Sequence, residues 1–281
     1  MIDSKNNQNI LYVISLPIGN ISDITYRAVD VLQKVNVIYC EDTRQFEKYK
    51  YKFNINCKID SYYDHNERYK TIEIINYFNK NTNVSVGLVS DGGTPMISDP
   101  GYHLIKAAYE NNIKVVPIPG VSAITCGLSV CPFNNNDFRF IGFFKESHME
   151  IIKNAPYSIM FFESPKRIIK TLNFLKSQFD NNSNNNNRKI FIGREMTKTY
   201  QQYYLFNINE IPNIEELGEF IVIIEGNQSK DLIVNQLNFQ NVNKLIDTVD
   251  KNMSIKSLSI IIAHILNIKK NQVYKKFLEN K

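Results

Sequence analysis

Five places in the chain set an acidic residue at the end of an apolar run and beside a turn or helix start: Glu41-Asp42, Asp91, Glu163, Glu195 and Glu225. A carboxylate so placed can take a proton or orient a hydroxyl. Any one of them alone reads as an ordinary helix cap; their repeated coincidence with Gly and Pro turns is the signal. The richest instance is Ser90-Asp91-Gly92-Gly93-Thr94-Pro95, which ends the apolar run Val84–Val89. Adjacent glycines permit positive φ and close approach of backbone to a ligand. A strand that passes through Asp and glycines into a helix is where open α/β sheets bind ligands. No GxGxxG follows a strand, and no GxxxxGK[ST], HExxH or GxSxG occurs, which removes the common nucleotide, zinc-hydrolase and serine-hydrolase signatures. A cofactor held by backbone groups and carboxylates, carrying its own reactive group, fits better. The four cysteines show no CxxC or CxxH pairing and the four histidines are scattered, so no metal site is expected.

Strands are expected at Ile10–Ile14, Asn36–Cys40, Lys58–Asp60, Val84–Val89 and Lys114–Ile118, with helical patterns between them. Alternation of this kind predicts a mostly parallel sheet with its ligand loops at the strands' carboxyl ends. After Pro119-Gly120 a helix should enter a second unit, whose expected strands are Phe138–Phe143, Tyr157–Phe162, Lys189–Gly193, Gln202–Phe206 and Phe220–Ile224. If those strands are parallel neighbours, all five acidic ends gather on one rim. The run Asp180–Asn187 reads as a solvated loop.

The length of 281 residues suits two domains, divided as 1–119 and 120–228, with a helical module over 229–281. In that module Ile255, Leu258, Ile261, Ile262, Ile265 and Leu266 form a helical stripe with Ser254 as its cap. Val273, Tyr274, Phe277 and Leu278 give a second helix among lysines. The net charge of +5 permits an RNA partner without requiring one. A polar opening segment and the lack of a long apolar run predict a cytoplasmic protein without a membrane span.

Six motifs in register carry a resemblance. Leu16-Pro17-Ile18-Gly19-Asn20, Glu41-Asp42-Thr43-Arg44, Ser90–Pro95, Ile97-Ser98-Asp99-Pro100-Gly101, Phe162-Glu163-Ser164-Pro165 and Arg194-Glu195-Met196-Thr197-Lys198 closely resemble the ribosomal RNA small subunit methyltransferase I family. That family belongs to the tetrapyrrole-methylase (class III) superfamily. The resemblance implies two α/β domains of the tetrapyrrole-methylase type with S-adenosylmethionine in the cleft between them, a small C-terminal helical module, and usually a homodimer. It implies 2′-O-methylation of a cytidine ribose in the decoding region of 16S ribosomal RNA, within the small ribosomal subunit.

Carried over by position, the cofactor lining comprises Pro17, Gly19, Asp91, Gly92, Gly93, Thr94, Pro95, Ser122, Ala123, Phe162 and Met196. The family's usual SDAGTP stands here as SDGGTP, with Gly92 in place of alanine and no functional group lost. Asp42, Glu163 and Glu195 are candidates to take the hydroxyl proton or orient the hydroxyl, with Arg44 and Lys198 holding phosphate or orienting the carboxylates. Lys145, Lys166, Arg167, Arg194 and Lys198 are candidates for an RNA-facing track. Two other readings share parts of this pattern: a C-methyltransferase acting on a tetrapyrrole, and a non-catalytic RNA-binding protein.

Overall fold

A computed structural model describes residues 8–180, 188–227, 254–265 and 269–279. The opening polar segment through residue 7, the asparagine-rich run 181–187 and Leu266 lie outside the described residues, as does the segment 228–253. The first half forms strands β1 (Ile10–Ile14), β2 (Val37–Cys40), β3 (Lys58–Ser61), β4 (Ser85–Leu88) and β5 (Lys114–Ile118). Helices α1 (Tyr26–Leu32), α2 (Thr43–Lys52), α3 (Glu67–Lys80) and α4 (Tyr102–Glu110) connect them. All five strands are parallel, in the order β3-β2-β4-β1-β5. Ala28, Leu32, Phe46 and Tyr49 cover one face; Ile74, Phe78, Leu104 and Ala108 cover the other. A sheet buried on both sides needs near-continuous apolar strands, which is why β2 is buried at every position. Because β1 and β4 are central neighbours, the loops that leave them lie side by side.

The second sheet contains β6 (Phe138–Phe143), β7 (Ser158–Glu163), β8 (Lys189–Arg194), β9 (Gln202–Asn207) and β10 (Phe220–Ile224), ordered β6-β7-β10-β8-β9. Helix α5 (Ala123–Val130) lies on one face, where Gly127 lets it close on Ile221 and Ile223. Helices α6 (Met149–Asn154) and α7 (Ile168–Asp180) cover the other around Ile159, Phe161, Leu172 and Ile192.

The expectation of parallel strands holds in the first sheet and fails in the second. Only the β6–β7 pairing is parallel there; β10 is antiparallel to both β7 and β8, and β9 to β8. Residues 195–201 between β8 and β9 are too few for a parallel crossover, which takes a dozen or more. Glu225, just past β10, is therefore on the rim opposite Glu163 and Glu195, while Phe220 at the start of β10 pairs with both Glu163 and Arg194.

The tail contributes α8 (Ile255–Ile265) and α9 (Lys270–Glu279). Ser254 caps α8 by accepting the Ser257 N–H at 3.1 Å. Leu258, Ala263, Val273 and Phe277 are buried.

One side chain from α3 starts α4. Glu67 Oε1 accepts the Gly101 and His103 N–H groups, each at 3.0 Å, and the hydroxyl of Tyr62 at 3.1 Å. Gly101 has no side chain to cap the helix itself, so its orphan N–H groups depend on this carboxylate. Glu67→Ala should lower stability by about 1–3 kcal/mol, the cost of unsatisfied donors near a charged acceptor. The check is the urea unfolding midpoint, at unchanged slope, against the parent chain.

Candidate active site

The carboxyl ends of β1, β4 and β5 face the second sheet across a cleft of about 650 Å³. Three loops of the first domain form its inner wall, and they are laced together. Leu16 and Gly93 exchange backbone hydrogen bonds, at 2.8 and 2.9 Å. Thr94 Oγ1 lies 2.9 Å from Ser15 Oγ and donates to the Val121 carbonyl at 3.1 Å. Gly93 sits at φ +82, a conformation that disfavours a side chain, and a Cβ at Gly92 would come within 3.2 Å of the Pro17 carbonyl. The result is a wall of bare backbone.

The second domain supplies an apolar floor. Met160, Met196 and Ile221 are buried in one cluster, with Ile18, Ala123 and Phe162 packed against it from both domains. The domains touch at Gly19, where a Cβ would lie 2.4 Å from Lys198 Cγ, 2.7 Å from Thr197 Oγ1 and 3.1 Å from the Met196 carbonyl. The Asn20 N–H donates to Thr197 Oγ1 at 3.1 Å across the same contact.

Pro17, Gly19, Asp91, Gly92, Gly93, Thr94, Ser122, Ala123, Phe162 and Met196 all line the cleft; Pro95 is buried behind the wall. The expected proton acceptors behave differently. Asp42 caps α2 through the Arg44 N–H and is gripped in a fork by Arg44 Nε at 3.0 Å and Nη2 at 2.7 Å. That fork holds its carboxyl down at about 2, and neither residue is in the lining. Glu163 lines the cleft, but its carboxylate is buried against α7: Thr171 Oγ1 donates to it at 2.7 Å, the Ser164 N–H at 2.8 Å, and Arg167 Nη2 pairs with it at 2.6 Å. It anchors a helix.

Glu195 accepts from Lys198 Nζ at 2.8 Å and from the Glu219 N–H at 2.9 Å. Burial works to raise its pKa, but the Lys198 hydrogen bond and the other partners outweigh it and leave the group lowered. Lys198 also pairs with Glu219 at 3.0 Å, a residue that precedes β10 and takes the rim position expected for Glu225. Of the expected RNA-facing track, Arg194 is buried and bonded to the Leu217 carbonyl and Glu215, and Arg167 and Lys198 are paired as above. Lys145 and Lys166 are exposed.

Two features escaped the sequence reading. Gln45, Lys48 and Tyr49 of α2 line the cleft; the sequence predicts a helix between β2 and β3 and not which of its turns faces the cleft. Asp99 lines it too. Burial, followed by the charge of Glu41, pushes its carboxyl up to about 7, with Asp91 and Asp64 adding to the rise and the Ser90 hydroxyl opposing it. The signal was present in Ser98-Asp99-Pro100-Gly101, but no predicted strand ends there.

Two unequal α/β domains that close on one glycine-walled cleft define a methylase of the tetrapyrrole-methylase fold. Residues 10–212 match the family Tetrapyrrole (Corrin/Porphyrin) Methylases. Solved structures of like shape include a uroporphyrin-III-C-methyltransferase from Thermus thermophilus (TM-score 0.57, 13% identity, 78% of this chain and 95% of that one). Diphthine synthase is another (TM-score 0.58, 13% identity, 78% and 90%). At such identity they establish the fold alone. The curated relatives come much nearer. Ribosomal RNA small subunit methyltransferase I of Vibrio cholerae serotype O1 is 34% identical over all of this chain and 99% of its own. Its namesakes from Escherichia coli O157:H7 (31%; 98% and 97%) and Rickettsia prowazekii (36%; 88% and 88%) are similar. The chain belongs to the ribosomal RNA small subunit methyltransferase I family of tetrapyrrole methylases.

Membership implies S-adenosylmethionine, and the cleft suits it. The volume lies within the 300–1,000 Å³ range of cofactor sites. Gly92 and Gly93 present backbone without side chains to the cleft, and the Phe162–Met196–Ile221 floor offers an apolar bed.

Two substitutions test this geometry. Gly19→Val should push Met196–Lys198 away and weaken S-adenosylmethionine binding at least about tenfold, or about 1.4 kcal/mol, in equilibrium dialysis. Glu225→Gln, on the far rim, should leave the same affinity within about twofold, as expected for a change remote from the site.

Proposed function

We propose that this protein transfers the methyl group of S-adenosylmethionine to the 2′-oxygen of a cytidine ribose in the decoding region of 16S ribosomal RNA. The observation that carries the reading is near full-length identity to relatives named ribosomal RNA small subunit methyltransferase I, whose match spans both walls of the cleft. When bound, S-adenosylmethionine supplies a methyl group already activated by a sulfonium. The chain's own work is to hold, orient and deprotonate. The laced loops at Leu16, Gly93 and Thr94 fix one wall. The Phe162–Met196 floor excludes water, which strengthens polar interactions in the cleft. Holding the hydroxyl in line with the methyl can lower the barrier by several kcal/mol, up to about 7–11.

The RNA-facing surface is read as the exposed Arg44, Lys145 and Lys166 around the mouth, with Lys48 inside it. Phosphate contacts of this kind carry no base information and make binding steeply salt-dependent. The assembled small subunit is the proposed substrate and a homodimer the proposed working form. Exposed Tyr200, Tyr203 and Leu205 beside and along the edge strand β9 support the dimer. Among the described residues no helix is long and apolar enough to cross a membrane, consistent with action in the cytoplasm.

Small subunits from cells lacking this protein, incubated with it and radiolabelled S-adenosylmethionine, should acquire label that digestion recovers as 2′-O-methylcytidine. Label on a base, or on an added tetrapyrrole in place of RNA, overturns the reading. Binding of cofactor and RNA with no transfer leaves the binding-protein alternative. Raising salt from about 50 to 200 mM should weaken RNA association by orders of magnitude.

A further inference from the structure

We propose that Asp99 is the group that takes the proton from the attacking ribose hydroxyl, an inference that rests on the methyl-transfer reading above. Asp99 lines the cleft at a lip where Ile97, Ser98 and Phe143 are exposed. Across that lip the domains come close again, a Cβ at Gly142 falling 3.8 Å from Ser98 Oγ. An acceptor that reaches into the cleft between Ser98 and Phe143 meets Asp99 beside the glycine wall.

The backbone is bent to present this carboxyl. Met96 at φ 71 and Ser98 at φ 69 are left-handed non-glycine residues, and Gly101 follows at φ 146. A longer or branched side chain in such a conformation is strained, and strain of this kind gathers at functional sites. The loop is closed by Glu67, which binds the Gly101 N–H.

The other carboxylates near the cleft already hold donors. Asp42 is in the Arg44 fork, Glu163 anchors Arg167 and Thr171, Glu195 holds Lys198, and Asp91 Oδ1 accepts the Asp42 N–H at 3.0 Å. Asp42, Glu163 and Glu195 are each tied to a cation, whereas Asp99 has no ion pair among the described residues and its hydrogen-bond partner is the neutral Ser90 hydroxyl; Asp91 is the rival acceptor at the wall. Asp99 faces Glu41, Asp64 and Asp91 with the Ser90 hydroxyl beside it, and Lys48 is the cation of the lining on that domain. Burial first, and then the neighbouring negative charge led by Glu41, raises its proton affinity toward neutrality, where a general base works best.

In the step, the ribose oxygen passes its proton to an Asp99 carboxylate oxygen. Its electron pair forms the new C–O bond to the methyl carbon, and the pair of the broken S–C bond stays on sulfur. One carboxylate anion and one sulfonium cation are neutralised together, so charge balances without any further reactant.

The test uses the full chain, its Asp99→Asn and Asp99→Glu variants, and small subunits lacking the methyl group. Single-turnover transfer at saturating S-adenosylmethionine should fall about 10²–10⁴-fold in Asp99→Asn, the usual worth of a placed base, with cofactor affinity retained. The wild-type rate should rise with pH and level off near neutrality, and Asp99→Asn should lack that inflexion. Independently of turnover, ¹³C NMR of the cofactor-free protein labelled at aspartate carboxyls should contain one resonance that titrates near pH 7 and is missing from Asp99→Asn. Wild-type transfer in Asp99→Asn, a surviving inflexion, or a resonance ionised throughout the neutral range overturns the proposal. Should Asp99→Asn not fold, Asp99→Glu decides: an inflexion that moves with the new carboxyl supports the role, and an unmoved one overturns it. Labelled RNA with an indifferent Asp99→Asn overturns Asp99 alone, whereas no labelled RNA from the wild type overturns the methyl-transfer reading and this role with it.

Discussion

The reciprocal pair of hydrogen bonds between Leu16 and Gly93 joins the loop after β1 to the loop after β4. It requires Gly93 to sit at φ +82, and it brings Thr94 to Ser15 and Val121, so a third loop is drawn in. Leu16 is fully buried in the core of the first domain, which gives this lacing a rigid base. From the same point the chain runs through Ile18 into the floor of the cleft and through Gly19 onto Met196–Lys198. The backbone wall, part of the floor and a contact between the domains thus run on from one short bridge. A pair of backbone bonds is worth only about 1–3 kcal/mol net, yet here it joins the loops that form one wall of the cleft.

Backbone strain separates the cleft from the rest of the molecule. Away from it, the non-glycine residues with positive φ are Asn54, Asn83 and Asn112, and asparagine enters that region readily. Around the cleft they are Met96, Ser98, Glu195 and Thr197, which do so at a cost of about 1–3 kcal/mol each. Both lips are strained, one in each domain. Glu67 closes the first through Gly101 and His103. Lys198 closes the second by joining Glu195 to Glu219. The ion pairs of the second lip have their main use in that closure, since partly exposed pairs add little stability.

The inner strands β1, β2 and β4 were legible because burial on both faces makes them apolar runs, each followed by a turn with Pro, Gly or acidic residues. The same periodicity carries no direction, so the antiparallel course of β10 was hidden, and with it the exchange of Glu225 for Glu219 at the rim. Side-chain direction was equally hidden: Glu163 follows Phe162 by one residue, and the pleat turns it to the opposite face of the sheet, toward α7. The glycine wall was readable from Gly92-Gly93 because a residue without a Cβ announces a close approach. Asp99 follows no strand, and its acidity is set first by burial and then by Glu41, Asp91 and Asp64, residues far apart in the chain and brought together only by the β2–β4 pairing and the loops beyond it.

The cleft sets a wall of bare backbone against a mouth lined with side chains. The wall at Gly92 and Gly93 offers backbone groups that every residue carries, so a cofactor held there needs few particular side chains. Choice of acceptor cannot rest on that wall. It must come from side chains at the mouth, where Lys48 and Phe143 line the entrance and Arg44 is exposed beside it. Function on a common fold is determined at such grafted positions. Arg44 adds a further constraint, because its fork on Asp42 occupies Nε and one terminal nitrogen and leaves the other terminal nitrogen outward. A guanidinium held in that way is a fixed donor, which is the form that the proposed contact with an RNA phosphate requires, and it is kept apart from the carboxyl proposed to take the proton in the cleft.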